Sequence, residues 1–300
     1  MFDLIIHSFK LFKIAYLNNR KVLKYTAIVV MLEILSVAFL YKLNGVYGNL
    51  YQAIQEYRPS DIWNAIWTFC GLAGVLVVVN GYMGAFINRL AFEIREGLTS
   101  HCFSHLEVIS VQSQYAQRIQ EDLRKFGESS CDFWSGIFKA VIKLPIFLGV
   151  VVSLTHWYTG LFIFLAVIVG TVATRLVSKR LVGLQAEQES NEALFRSTLV
   201  ERKAYDIAFF SLIRPLFLKI NSRLKLLSFT QSGLGQTFVL LPFIVLMPLY
   251  IAKTITMGGF FQSVNALSKI IDSLVILIDS RQVIVNIESS ITRLQFLIKK

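Results

Sequence analysis

From Ile62 to Leu90 the chain reads IWNAIWTFCGLAGVLVVVNGYMGAFINRL, with Arg89 as its single charge. About 20 apolar residues in a helix cross a hydrocarbon core of roughly 30 Å, so this stretch predicts a transmembrane helix. Gly71, Gly74, Gly81 and Gly84 recur at helical spacing along it and allow close helix contact. Working outward, five more segments have the same character: Tyr25–Leu43, Phe138–Leu154, Tyr158–Val177, Gly235–Thr254 and Phe260–Ile278. In the last, Ser263, Asn265, Ser268, Lys269, Asp272 and Ser273 break the apolar run, a pattern that suits a helix lining a wet cavity. Pro145, Pro242 and Pro248 mark kinks within spans.

The composition agrees. Of 300 residues, 55% are hydrophobic and only 16% charged, against roughly 25% charged in soluble chains. The net charge of +11 would suggest nucleic acid in a soluble protein. Its location suggests otherwise. Most of the 30 basic residues precede the first span, lie in the two long connections, or follow the sixth, whereas Lys42, Arg58 and Lys253 stand on the opposite side. Lys139, Lys143 and Lys269 sit at or within span ends. The positive-inside rule then places both termini in the cytoplasm, leaves the lipid bilayer as the partner, and removes any need for nucleic acid. Trp63, Trp67, Trp157 and Tyr158 fall where an outer aromatic belt would anchor.

The outer connections are short, with Gly258 and Gly259 expected to supply one turn. The inner connections keep apolar residues at three- and four-residue intervals, so they read as helices continuing out of the membrane. The expected organisation is an amphipathic interfacial helix over residues 1–24 and one all-α, six-span transmembrane domain over 25–300, with cytoplasmic helical hairpins at 91–138 and 178–234. The N-terminal segment is no signal peptide, because Lys10 and Lys13 interrupt it and no small-residue cleavage site follows. A first helix tucked into the bundle is the alternative for it.

Cys70, Cys102 and Cys131 lack CxxC spacing and read as reduced thiols. His101 and His105 share a helical face, but Cys102 stands where a zincin has Glu, so no metal site is expected. No nucleophile elbow or dinucleotide loop appears, so no catalytic residue is expected.

Two segments of the inner connections add a resemblance. The run Gln117-Arg118-Ile119-Gln120-Glu121-Asp122 resembles a segment shared by the SbmA/BacA peptide-antibiotic transporters and the related ABC membrane domains. Glu192 to Arg202, which includes Arg196 and Glu201, resembles the corresponding second patch. The resemblance implies an ABC-exporter-like (type IV) membrane domain in a domain-swapped homodimer of the bacterial inner membrane. No glycine is followed by lysine, so no P-loop is present. With no ATPase, the SbmA/BacA type implies import of peptides or peptide-like antibiotics driven by the proton gradient, with no other cofactor. The final span lacks the tryptophan that family would carry near its inner half. The alternatives are a permease subunit paired with a separate ATPase, and a membrane scaffold or docking protein.

Proton coupling needs carboxylates in partly desolvated places, where burial favours the neutral form. Glu33 and Asp272 lie inside spans, where an ionisable residue is a functional candidate. The resemblance adds Glu121, Asp122, Glu192 and Glu201, with Gln117, Arg118 and Arg196 as structural parts of the motif. Spacing alone also allows a plain solvated helix, since Arg118 and Asp122, like Glu121 and Lys125, are four apart. Asp272 and Lys269, three apart, are expected to pair.

Overall fold

A computed structural model describes residues 2–105, 118–200 and 208–279, with residues 287 and 291. Every element among them is helical: α1 (Phe2–Asn18), α2 (Lys21–Gln55), α3 (Pro59–His105), one π-helical turn (Arg118–Asp122), α4 (Leu123–Leu154), α5 (Trp157–Val200), α6 (Ala208–Ile251) and α7 (Met257–Asp279). Helices are the expected solution, because hydrocarbon offers no partner to a backbone N–H or C=O.

Five described helices are long and apolar enough to cross a membrane: α2, α3, the stretch Gln120–Leu154, the start of α5, and Arg214–Ile251 in α6. These carry the first five expected segments. The sixth forms α7, which is not among those five. Its buried residues Val264, Leu267, Ile270 and Ile271 face protein, and its side chains are described only as far as Ile276.

The helices run far beyond a bilayer. At 1.5 Å per residue the 47 residues of α3 span roughly 70 Å, and the 44 of α5 and of α6 about 66 Å each. The two long connections continue as helix as far as His105 and Val200, and again from Arg118 and Ala208.

The short turns differ from expectation in one detail. Between α6 and α7 the left-handed residue is Lys253, at φ 57°, while Gly258 and Gly259 lie inside α7 and have no positive φ. Gly258 serves close approach instead. A Cβ there would stand 2.5 Å from the Gly48 carbonyl oxygen, so α2 and α7 touch backbone to backbone. Between α2 and α3 the left-handed residue is Tyr57, at φ 52°, and Pro59 opens α3 where its missing N–H costs nothing.

The chain divides into two compact units, residues 1–160 with 246–300, and residues 161–245. In the first, α2 packs on α3, α4 and α7, and α1 lies on α3. Gly97 and Gly127, like Gly258, permit close backbone contacts: a Cβ on either would meet the Ala15 or Ala91 carbonyl oxygen at 2.5 or 2.8 Å. Around these glycines Leu11, Ala15, Ile94, Leu98, Leu123 and Phe126 are fully buried. Phe126 stands roughly 42 Å along α4 from its outer end at Leu154. That is farther than the hydrocarbon is thick, so water drives this burial, at about 2–3 kcal/mol for a phenylalanine.

The second unit is the facing stretches of α5 and α6. Gly170 lies under Leu234 and Phe238, and Leu216 and Ile220 pack with Leu184. Rising positions on α5 meet falling ones on α6, so the pair is antiparallel.

Gly97→Val should lower stability by about 1–3 kcal/mol through overpacking against α1, read as an earlier thermal transition in detergent. Gly74→Val, which meets nothing within 4 Å, should leave the transition unchanged.

Candidate functional site

One face of α2 carries Glu33, Ser36, Asn44, Gly48, Gln52 and Gln55, close to the helical period. Each meets another helix. At the outer end Gln55 Oε1 accepts the Met257 N–H at 3.1 Å, which caps α7. The Gly258 N–H points to Gln52 Oε1 at 3.4 Å, and Tyr51 stacks on Phe261 with ring centroids 3.8 Å apart. Deeper, Asn265 Nδ2 donates to Asn44 Oδ1 at 2.9 Å, and Ser36 Oγ donates to Asn80 Oδ1 of α3 at 3.0 Å. Positions on α7 fall as those on α2 rise, so the two are antiparallel.

Farther inward, Glu33 is 1% exposed. Ser135 Oγ of α4 donates to its Oε1 at 2.6 Å, and Lys139 Nζ stands 3.5 Å from its Oε2. Lys143 follows one turn later on α4, buried, within the electrostatic reach of Asp272, Lys269, Lys139 and Glu33. Three helices thus place four ionisable side chains within electrostatic reach of Lys143; Glu33 and Lys143 are buried, where an ion left alone would cost several kcal/mol, and Asp272 is exposed. Asn44 Nδ2 and Ser263 Oγ, also buried, have no hydrogen-bond partner among the described residues. Such groups cost about 1–3 kcal/mol each, so the polar seam between α2 and α7 is retained against stability.

Of the residues expected from sequence, Glu33 and Asp272 belong to this cluster. The pairing of Asp272 with Lys269 is corrected: neither forms an ion pair among the described residues, and their environments differ, Asp272 being exposed while Lys269 is half-buried. Glu121 and Asp122 lie elsewhere, in the π turn at the inner end of α4. Glu121 Oε1 pairs with Lys125 Nζ at 2.8 Å, both about half exposed, so the solvated-helix pattern is realised there at a few tenths of a kcal/mol. Asp122 is buried, and a π turn is a frequent companion of function. Gln117 and Glu201 lie outside the described residues, as do the side chains of Arg118, Glu192 and Arg196. Among the described residues no three His, Cys, Asp or Glu side chains gather to hold a metal.

Sequence reasoning missed Ser135, Lys139 and Lys143 as parts of the site. Their signal was the four-residue step from Ser135 through Lys139 to Lys143, which puts all three on one face of α4. It also missed Glu93, which is fully buried. Its Oε2 accepts from Asn19 Nδ2 at 2.9 Å and its Oε1 meets Arg89 Nε at 3.0 Å, which ties the α1–α2 junction to α3.

Lys139→Met should destabilise the protein by about 3 kcal/mol, because it leaves the buried Glu33 carboxylate with a single neutral donor. Lys139→Met with Glu33→Gln should recover most of that loss, and the double-mutant cycle by thermal unfolding in detergent checks it.

The sequence has known relatives. The family described as ABC transporter transmembrane region 2 matches residues 11–212. The inner membrane ABC transporter ATP-binding protein YddA of Escherichia coli (strain K12) is 23% identical over 266 residues, which cover 75% of this chain and 47% of that protein. An ABC transporter ATP-binding protein of Synechocystis is 25% identical over 84% of this chain and 43% of its own length. The chloroplastic ABC transporter D family member 2 of Arabidopsis thaliana is 26% identical over 68% and 31%. The chain thus spans less than half the length of these relatives. With two thirds of its residues inside that family match, this helical protein belongs to the ABC transporter transmembrane region 2 family.

Proposed function

We propose that this chain is the membrane-spanning transport domain of an ABC-type transporter and that a nucleotide-binding module works with it. The observation that carries the reading is the family match over residues 11–212, together with relatives named as ATP-binding proteins whose lengths exceed the matched region. The geometry supports it. With roughly 70 Å of helix in α3 and roughly 30 Å of hydrocarbon, about 40 Å remains outside the bilayer. Helices of that stiffness carry a displacement at their inner ends to the polar seam along α2. In this reading the basic inner connections lie in the cytoplasm with both termini, a second copy completes the pathway, and the membrane is the bacterial inner membrane.

A second reading is proton-driven import of peptides by a homodimer, as the resemblance to the SbmA/BacA type implies. Its specific support is Glu33, a buried carboxylate with a lysine at 3.5 Å in a segment apolar enough to span the membrane. Glu121, Asp122, Glu192, Glu201 and Asp272 are the other carboxylates it would use.

The two readings part on energy source. Under the first, affinity-purified protein from its native membrane carries an ATP-binding subunit or domain, and vanadate abolishes solute uptake into vesicles while a protonophore does not. Uptake that is abolished by a protonophore and by Glu33→Gln, and is indifferent to vanadate, would replace the first reading with the second. A preparation that moves nothing under either ATP or an imposed pH gradient would leave a docking role.

A further inference from the structure

Beside the turn that joins α2 to α3 lies a cavity of about 340 Å³. About two turns of each helix wall it: Asn49 and Gln52 from α2, Asn64 and Thr68 from α3, with Arg58 and Asp61 toward the turn. Ala53 and Ala65 are the buried part of the wall, and side chains this small leave the space open. Its volume is near the lower end of small-ligand sites, roughly 300–1,000 Å³, so it suits a molecule of headgroup size.

The polar groups around it are set for a particular partner. Arg58 is held from two sides, by Asp61 Oδ2 at 2.6 Å and by Glu56 Oε2 at 2.7 Å, and Glu56 also accepts from the Gln52 amide. A guanidinium has five N–H donors, so Arg58 keeps three for another group. Two carboxylates face this one cation, which leaves one negative charge in excess. All three side chains are about half exposed, and ion pairs of that kind are worth little, so a ligand can share them at small cost. The side-chain amides of Asn49 and Asn64 have no hydrogen-bond partner among the described residues. Asp61, Asn49 and Asn64 thus offer acceptor oxygens from both helices to one space. They match the three N–H donors of a primary ammonium, and the guanidinium beside them matches a phosphate.

The surroundings say where such a molecule comes from. Tyr57 is left-handed, at φ 52°, which turns the chain so that the Arg58 N–H reaches the Ala53 carbonyl at 3.0 Å. Glycine would adopt that conformation without steric cost. Tyr57 is 89% exposed instead, so no burial within this chain offsets the strain. Trp63 and Trp67, next to the lining residues Asn64 and Thr68, are largely exposed as well. Amphipathic rings of this kind settle at the level of lipid headgroups. The apolar run of α3 begins at Ile62, so the cavity lies where a polar turn meets a membrane-spanning segment. Farther along α3, Val75, Val77 and Val78 are exposed, a surface on which acyl chains can lie.

We propose that this cavity binds the headgroup of a zwitterionic phospholipid that carries a primary amine. The ammonium sits on Asp61, Asn49 and Asn64, the phosphate meets Arg58, and the acyl chains follow the exposed valines of α3. A choline headgroup has no N–H to donate, and a glycerol headgroup brings its negative charge to a turn already one carboxylate in excess. The inference rests on the membrane-spanning character of α2 and α3 and on neither transport reading.

The test is native mass spectrometry of the full-length protein, delipidated in detergent and mixed with equal amounts of phosphatidylethanolamine, phosphatidylcholine and phosphatidylglycerol of one acyl composition. The ethanolamine lipid should be retained roughly fivefold or more over each of the others. Asp61→Asn and Asn64→Leu should each cut that preference roughly threefold or more. Asp61→Glu, which keeps the carboxylate, and Lys42→Gln, on the exposed side of α2, should retain it. Circular dichroism identifies the folded variants, and Asn64→Leu with Asp61→Glu decides the matter if Asp61→Asn does not fold. Equal retention of the three lipids, an undiminished preference in folded Asp61→Asn or Asn64→Leu, or its loss in folded Asp61→Glu would overturn the proposal. Glycerophosphoethanolamine, the same headgroup without chains, should not displace the lipid at equal concentration. Displacement would assign the cavity to a free amine phosphate and overturn the lipid as its occupant. Binding here requires neither ATP nor a proton gradient, so its failure leaves both transport readings standing.

Discussion

Hydrocarbon cannot donate or accept a hydrogen bond, and the rest of the molecule follows from that constraint. It makes every described element a helix. Several polar side chains on α2 find partners on other helices, so Ser36 reaches α3, Glu33 reaches α4, and Asn44 and Gln55 reach α7. Lipid tails are as apolar as leucine, so burial of leucine does not by itself join helices inside a bilayer. The polar links and the backbone contact at Gly48 and Gly258 perform that task. Outside the bilayer water restores the ordinary rule, and the cluster around Ile94, Leu98 and Phe126 is held by apolar burial.

The two regimes divide the labour. The helix ends around Phe126 are packed, with charged pairs such as Glu121 and Lys125 on their surface. The apolar segments hold what is energetically unfavourable: the Asn44 Nδ2 without a hydrogen-bond partner among the described residues, a buried Glu33 and a buried Lys143. Stability is sacrificed where function requires polar groups in an apolar place, the usual signature of a functional site.

Much of this was legible in the sequence. The run Ile62–Leu90 could be little else than a span, since length and apolarity suffice for that inference. Interruption of the last segment by Asn265, Lys269 and Asp272 set α7 apart from the other segments, and one face of it, with Val264, Leu267 and Ile271, is buried. Glu33 was recognisable because a lone carboxylate in a span has few innocent explanations. Lys139 and Lys143 were not, because a lysine near a span end is equally well explained by topology, and only the third dimension shows that α4 turns both toward α2 and α7. Gly258 illustrates the same limit. A glycine pair after a span reads as a turn, and the need for close approach appears only when the opposing Gly48 carbonyl is in place.

The clasp between Asn19 and Glu93 bears on biogenesis. The two are 74 residues apart, and a ribosome completes α1 long before it has made the part of α3 on which Leu11 and Ala15 are buried. During that interval the apolar face of α1 has no protein to cover it. The helix α1 is therefore made before the surface that buries Leu11 and Ala15, and its final place depends on α3.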